Sequence, residues 1–151
     1  MSHILAVVLD RAHARFFDIG PSSTVELTCL QSPATRGGRY HSERGNAPGR
    51  GEHAYHGRLR EEERRHLAGI AARLVALARD PAWEFVLVGP DNLIRALRRV
   101  LPRPLDGRCI GTAHLDFKRL TPAIVQREAR RLQADWVQRL PATTAIRSSH
   151  D

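Results

Sequence analysis

Lysine is almost missing from this chain. Lys118 is the only one, so 23 of the 24 basic residues are arginine (24 less one). GC-rich codon usage accounts for that ratio, but not for the excess of positive over negative charge. The formal net charge is +8 and the sequence pI is about 11.0. Such a balance favours phosphate-rich partners, because arginines that neutralise phosphates release condensed counterions. Cysteine is nearly as scarce. Cys29 and Cys109 lie on separate strand-like segments; they read as small apolar residues, not as a disulfide framework. No apolar run approaches the roughly 20 residues that cross a bilayer. Ile4 to Leu9 is too short for a signal peptide, follows no basic stretch and precedes no small-residue cleavage site. These absences predict a cytoplasmic protein with no membrane partner.

Chemical motifs are also absent. There is no phosphate-loop signature. Gly49-x-Gly51 is too short for a dinucleotide fingerprint and follows a loop, not a strand. No serine occupies a nucleophile elbow, and neither cysteine stands beside a histidine. No internal repeat is visible. No cofactor is expected.

What remains is a chain of 151 residues, 42% hydrophobic, enough for one domain with its own core. Ile4 to Leu9 has the continuous apolar pattern of a strand buried on both faces. Asp10 to His13 is a polar turn, and Ala14 to Ile19 a second strand. After the turn signal Gly20-Pro21-Ser22-Ser23, Thr24 to Leu30 alternates Val25, Leu27 and Cys29 against Glu26 and Thr28. That period of two predicts a half-buried third strand in an antiparallel meander. Further on, a helix is expected from about Arg58 to Arg79, with Leu67, Ile70, Ala71, Leu74, Leu77 and Ala78 on one face. Glu84 to Gly89 reads as a buried strand. A helix capped by Asp91 follows, carrying Leu93, Leu97, Val100 and Leu101 inward. Arg108 to Thr112 is a short last strand. Thr121 as N-cap and Pro122 at the first helical position open a final helix marked by Val125, Ala129, Leu132, Trp136 and Leu140. The fold class expected is α/β: a single-domain mixed sheet of about five strands with three main helices, the last strands parallel through helical crossovers. Residues 1–140 form the domain, and 141–151 a polar tail.

Residues 33–57 depart from globular composition. They are rich in glycine, arginine and histidine and almost free of aliphatic side chains. A loop this long in a small domain is uncommon, and is usually functional or disordered. Here a mobile, cationic loop is expected, with RNA the first partner considered. The binding residues it points to are Arg36, Arg39, Arg44, Arg50, Arg58, Arg60, Arg64 and Arg65, whose forked donors match phosphate geometry. Tyr55 would stack on an unpaired base. His41, His53, His56 and His66 have no carboxylate or cysteine partner at a familiar ligand spacing; they read as solvated histidines, and no metal is expected. Glu61 to Glu63 beside Arg64 and Arg65 read as a solvated helix face, and Asp10 and Asp18 as turn residues rather than a nuclease pair.

The run Arg50-Gly51-Glu52-His53-Ala54-Tyr55-His56-Gly57-Arg58, continuing through the charged segment to His66, resembles the middle domain of the archaeal and eukaryotic class-one peptide release factors. In that domain a Gly-Gly-Gln tripeptide in a flexible loop leads through a basic segment into a long helix. Phe85 to Pro90, Ala96 to Arg99 and Leu115 to Pro122 are similar to the same domain. They resemble still more its bacterial offshoots, among them host-attachment proteins and Balon-type hibernation factors. The resemblance implies a ribonuclease-H-like fold and ribosomal RNA or tRNA as partner. It also aligns Arg50, Gly51 and Glu52 with the tripeptide. Glutamate for glutamine matters chemically. An amide donates and accepts hydrogen bonds, an ionised carboxylate only accepts, and its charge opposes a developing oxyanion. The chain also has no room for the codon-reading and GTPase-recruiting domains. The expectation is a ribosome- or tRNA-binding factor of hibernation, rescue or quality control, without peptide release. Two alternatives stand beside it: a residual peptidyl-tRNA or ester hydrolase using Glu52 as its catalytic residue, and an interaction or oligomerisation module with no RNA role.

Overall fold

The computed structural model describes residues 3–32 and 50–140, and the side chains of all of these except 50–59 and Phe117. Five strands, His3–Leu9 (β1), His13–Ile19 (β2), Thr24–Gln31 (β3), Trp83–Val88 (β4) and Cys109–Ala113 (β5), form one sheet in the order β3-β2-β1-β4-β5. β1–β2 and β2–β3 are antiparallel, the expected meander; β1–β4 and β4–β5 are parallel. The helices are Arg50–Leu77 (α1), Asp91–Val100 (α2), the single turn Arg103–Asp106 (α3) and Pro122–Arg139 (α4), with a 3₁₀ turn at Phe117–Arg119. This is the mixed, ribonuclease-H-like α/β architecture expected, with three long helices.

The sheet is buried on both sides, which is why β1 and β4 read as unbroken apolar runs. On one face Leu5, Val7, Leu9, Phe16, Phe85 and Leu87 meet Leu67, Ile70 and Leu74 of α1 and Leu93, Ile94 and Leu97 of α2. On the other, Ile4, Ala6, Val8, Phe17, Val86 and Ile110 meet Val125, Ala129 and Leu132 of α4. Each large side chain so buried contributes about 1.5–3 kcal/mol.

Several local expectations need correction. The segment 50–57, expected as loop, is the start of α1, which begins at Arg50 rather than near Arg58. Gly51 and Gly57 cost helix about 1 kcal/mol each relative to alanine. Yet the segment extends a helix already anchored by Leu67, Ile70 and Leu74, so it propagates without a nucleation cost. Residues 33–49 and the tail 141–151 lie outside the described residues.

β3 also differs. Val25 is 56% and Leu27 43% exposed, and Cys29 is exposed. The ladder steps from Phe16↔Thr28 to Phe17↔Glu26, so Leu27 has no partner on β2. This bulge breaks the period-two alternation, and β3 lies at the sheet edge. The two cysteines sit on opposite edges, four strand spacings or about 19 Å apart, and both are free.

On α2, Ile94 is buried where Val100 was expected, and Val100 is 50% exposed. Pro90, not Asp91, is the N-cap; Asp91 is the first helical residue and pairs with Arg95 at 2.6 Å. α4 begins as read, with Thr121 Oγ1 accepting the Ile124 N–H at 3.3 Å.

Candidate nucleic-acid interface

The site rests on how α1 is held. His66, 3% exposed, is not a solvated histidine: its Nε2 donates to the Asp10 carbonyl at 3.0 Å, tying α1 to the carboxyl end of β1. Asp10 is the turn residue expected. Its carboxylate accepts the N–H groups of Ala12 (2.8 Å) and His13 (2.6 Å). Asp18 lies opposite Leu5 on β1, five residues or about 17 Å along the strand from Asp10, so the two acids do not form a pair. At the far end, Arg108 donates to the carbonyls of Ala78 (2.9 Å), Asp80 (2.9 Å) and Trp83 (3.1 Å), closing the end of the helix against β4. Sixteen residues of α1, from Arg50 to Arg65, precede His66, about 24 Å of helix at 1.5 Å per residue.

Arg50, Gly51, Glu52, Tyr55 and Arg58 therefore belong to the first turns of a helix, with their side chains outside the description; Arg36, Arg39 and Arg44 lie outside the described residues altogether. Of the arginines singled out, Arg60, Arg64 and Arg65 are seen, and all three are exposed. Arg64 grips Glu61 through two donors at 2.5 and 3.0 Å, and Arg65 reaches the same carboxylate at 3.3 Å. The Arg64 hydrogen bonds, then its charge, hold the Glu61 carboxyl down at about 2. Glu61 thus offsets one of the two arginine charges. Arg60 has no ion pair among the described residues.

Other arginines are structural. Arg15 chelates Glu26 at 2.9 and 3.0 Å and lies over the Phe17 ring, 4.9 Å from its centroid. That pairing raises the Arg15 pKa and lowers that of Glu26, the hydrogen bond being the main cause in each case. Arg130 donates to the Gly20 carbonyl and to Gln133.

A group that motif reading did not reach sits at the carboxyl ends of β4 and β5, where ligands bind in open α/β sheets. His114 Nδ1 donates to the Gly89 carbonyl at 2.9 Å, and its Nε2 lies 3.8 Å from Asp91, which also holds Arg95. Gly89 is required there: a Cβ would stand 2.4 Å from the Leu9 carbonyl oxygen. The only sequence signal was the Gly89-Pro90-Asp91 punctuation after a buried strand. Among the described residues, no cluster of histidine, cysteine or acidic side chains is placed to hold a metal ion, and no helix is long and apolar enough to cross a membrane.

A mixed sheet flanked by α1 on one face and α4 on the other, with a basic, glycine-interrupted segment opening the long helix, defines the middle-domain class of release-factor folds. The chain belongs to bacterial archaeo-eukaryotic release factor family 10, whose family model matches residues 2–139. Among solved structures it is similar to the archaeal translation termination factor aRF1 (13% identity, TM-score 0.52, 89% of this chain and 39% of that one). The Pelota protein of Thermoplasma acidophilum is also similar (16% identity, TM-score 0.48, 76% and 28%). The chain thus spans well under half the length of these relatives, and the likeness to aRF1 is one of fold. No curated protein matches the sequence.

Proposed function

We propose that this protein is a translation factor that binds the ribosome or tRNA through the arginine–glycine segment and the start of α1, and that it does not release peptides. The observation that carries this reading is Arg50-Gly51-Glu52 in a member of a release-factor family. The tripeptide opens the long basic helix, where the first glycine is replaced by arginine and the glutamine by glutamate. Arginine adds a phosphate ligand. Glutamate in the first turn suits the positive end of the helix dipole, but supplies no hydrogen-bond donor and opposes an oxyanion. The net charge of +8 supports an RNA partner, and hibernation, rescue or quality control is the role proposed.

Hydrolysis of peptidyl-tRNA on ribosomes tests the catalytic half of the proposal. Wild type is expected to be inert, with any gain confined to Glu52→Gln. Hydrolysis by wild type that Glu52→Ala abolishes would make the protein an enzyme instead. Protein purified without nuclease is expected to carry RNA, read from its ultraviolet absorbance ratio.

A further inference from the structure

The open edge of β5 has its own construction. The Gly89 N–H bonds to the Ala113 carbonyl at 2.9 Å, so Ala113 turns its polar groups toward β4. Successive residues of a parallel strand alternate in this respect, and Thr112 therefore presents its N–H and C=O to the open side of the sheet. Beside that edge lies a groove of about 280 Å³ between α2 and α4, with Gly111, Thr112, Leu132 and Trp136 along its floor and walls and Arg98 and Arg139 at its rim. Gly111 keeps it close-fitting, since a Cβ would stand 3.0 Å from the Leu132 side chain. Trp136 is half-buried, an apolar wall with one side toward solvent.

Both arginines keep donors in reserve. Arg98 engages Asp106 through Nε and Nη2 at 2.8 and 3.4 Å, leaving Nη1. Among the described residues, Arg139 uses only Nε, toward the Asp135 carbonyl at 3.3 Å. β5 has a bulge of its own at Ile110, between the Phe85↔Cys109 and Val86↔Gly111 pairs, so the regular part of this edge runs from Gly111 to Ala113.

We propose that an extended peptide, apolar at its centre and acidic at its ends, adds to the sheet alongside β5. Its main chain pairs with Thr112, an apolar side chain enters between Leu132 and Trp136, and a carboxylate meets Arg98 or Arg139. Main-chain pairing at a sheet edge supplies affinity and side-chain pockets supply choice. Single-stranded RNA would also meet arginine and tryptophan, but has no row of amides and carbonyls to match Thr112.

The full chain, ¹⁵N-labelled, is titrated with four probes. These are the capped peptide Asp-Val-Leu-Val-Glu, its counterpart Lys-Val-Leu-Val-Lys, the acidic peptide with its central amides N-methylated, and oligouridine RNA. The acidic peptide is expected to shift the amides of Cys109 to Ala113 and the Trp136 indole, and to bind at least about tenfold tighter than the lysine peptide. N-methylation should abolish binding. Arg139→Glu, on the exposed last turn of α4, should shrink the preference for the acidic peptide without unfolding the chain. Unmoved β5 amides, equal binding of the two charged peptides, full affinity of the N-methylated peptide, or RNA shifting these amides in preference would each overturn the proposal.

Discussion

Arg108 and Gly89 carry more of the structure than their residue types suggest. Arg108 satisfies three carbonyls where α1 ends and β4 begins. Arg108→Ala leaves them to water and is expected to cost about 2 kcal/mol, read as a lower urea midpoint with an unchanged slope. Gly89→Ala forces a methyl group onto the Leu9 carbonyl, 2.4 Å away, and should cost about 2–3 kcal/mol, measured the same way. The Arg15–Glu26 pair gives a pH signature. Glu26 has a folded pKa below its unfolded value, so its stabilising contribution is present above the unfolded carboxyl pKa of about 4.3. It is lost as pH falls through the lower folded value. The stability difference between wild type and Glu26→Gln, under about 1 kcal/mol because the pair is partly exposed, should therefore be full at neutral pH and shrink in acid. A difference that stays constant down to strongly acidic pH would contradict the pairing.

Among the elements, α1 connects structure to function. Its second half is anchored by Leu67, Ile70 and Leu74, its first half carries Arg50, Arg58 and Arg60 together with four glutamates, and Glu61 holds Arg64 and Arg65. Glu61→Gln removes the competing carboxylate. It should tighten RNA binding and steepen the dependence of log affinity on log salt by up to about one to two units. A filter-binding salt titration reads this directly. The elements also show what the sequence disclosed. Continuous apolar runs gave away β1 and β4, and Thr121-Pro122 marked the start of α4. The start of α1 was hidden because Gly51 and Gly57 signal a loop locally, while the helix that overrides them is stabilised by packing some fifteen residues away. The faces of β3 were hidden because a one-residue bulge at Leu27 is a property of the pairing with Phe16 and Phe17, not of β3 alone. Of the site, the arginines were legible by composition. That His66 docks the helix and Glu61 restrains Arg64 and Arg65 was not, since both depend on contacts that form only once α1 exists.

At the scale of the whole molecule, family membership, a charge of +8 and a helix fixed to the sheet by His66 support the proposed RNA-containing partner. In the proposed function, Arg50-Gly51-Glu52 is what separates that binding from peptide release. Co-sedimentation with ribosomes at low and moderate salt tests the account most directly. Wild type should pellet with ribosomes at low salt and be released as salt rises, while Arg36, Arg39, Arg44 and Arg50 replaced together by alanine should weaken binding and flatten its salt dependence. Absence of wild-type protein from the ribosome pellet at low salt would contradict it.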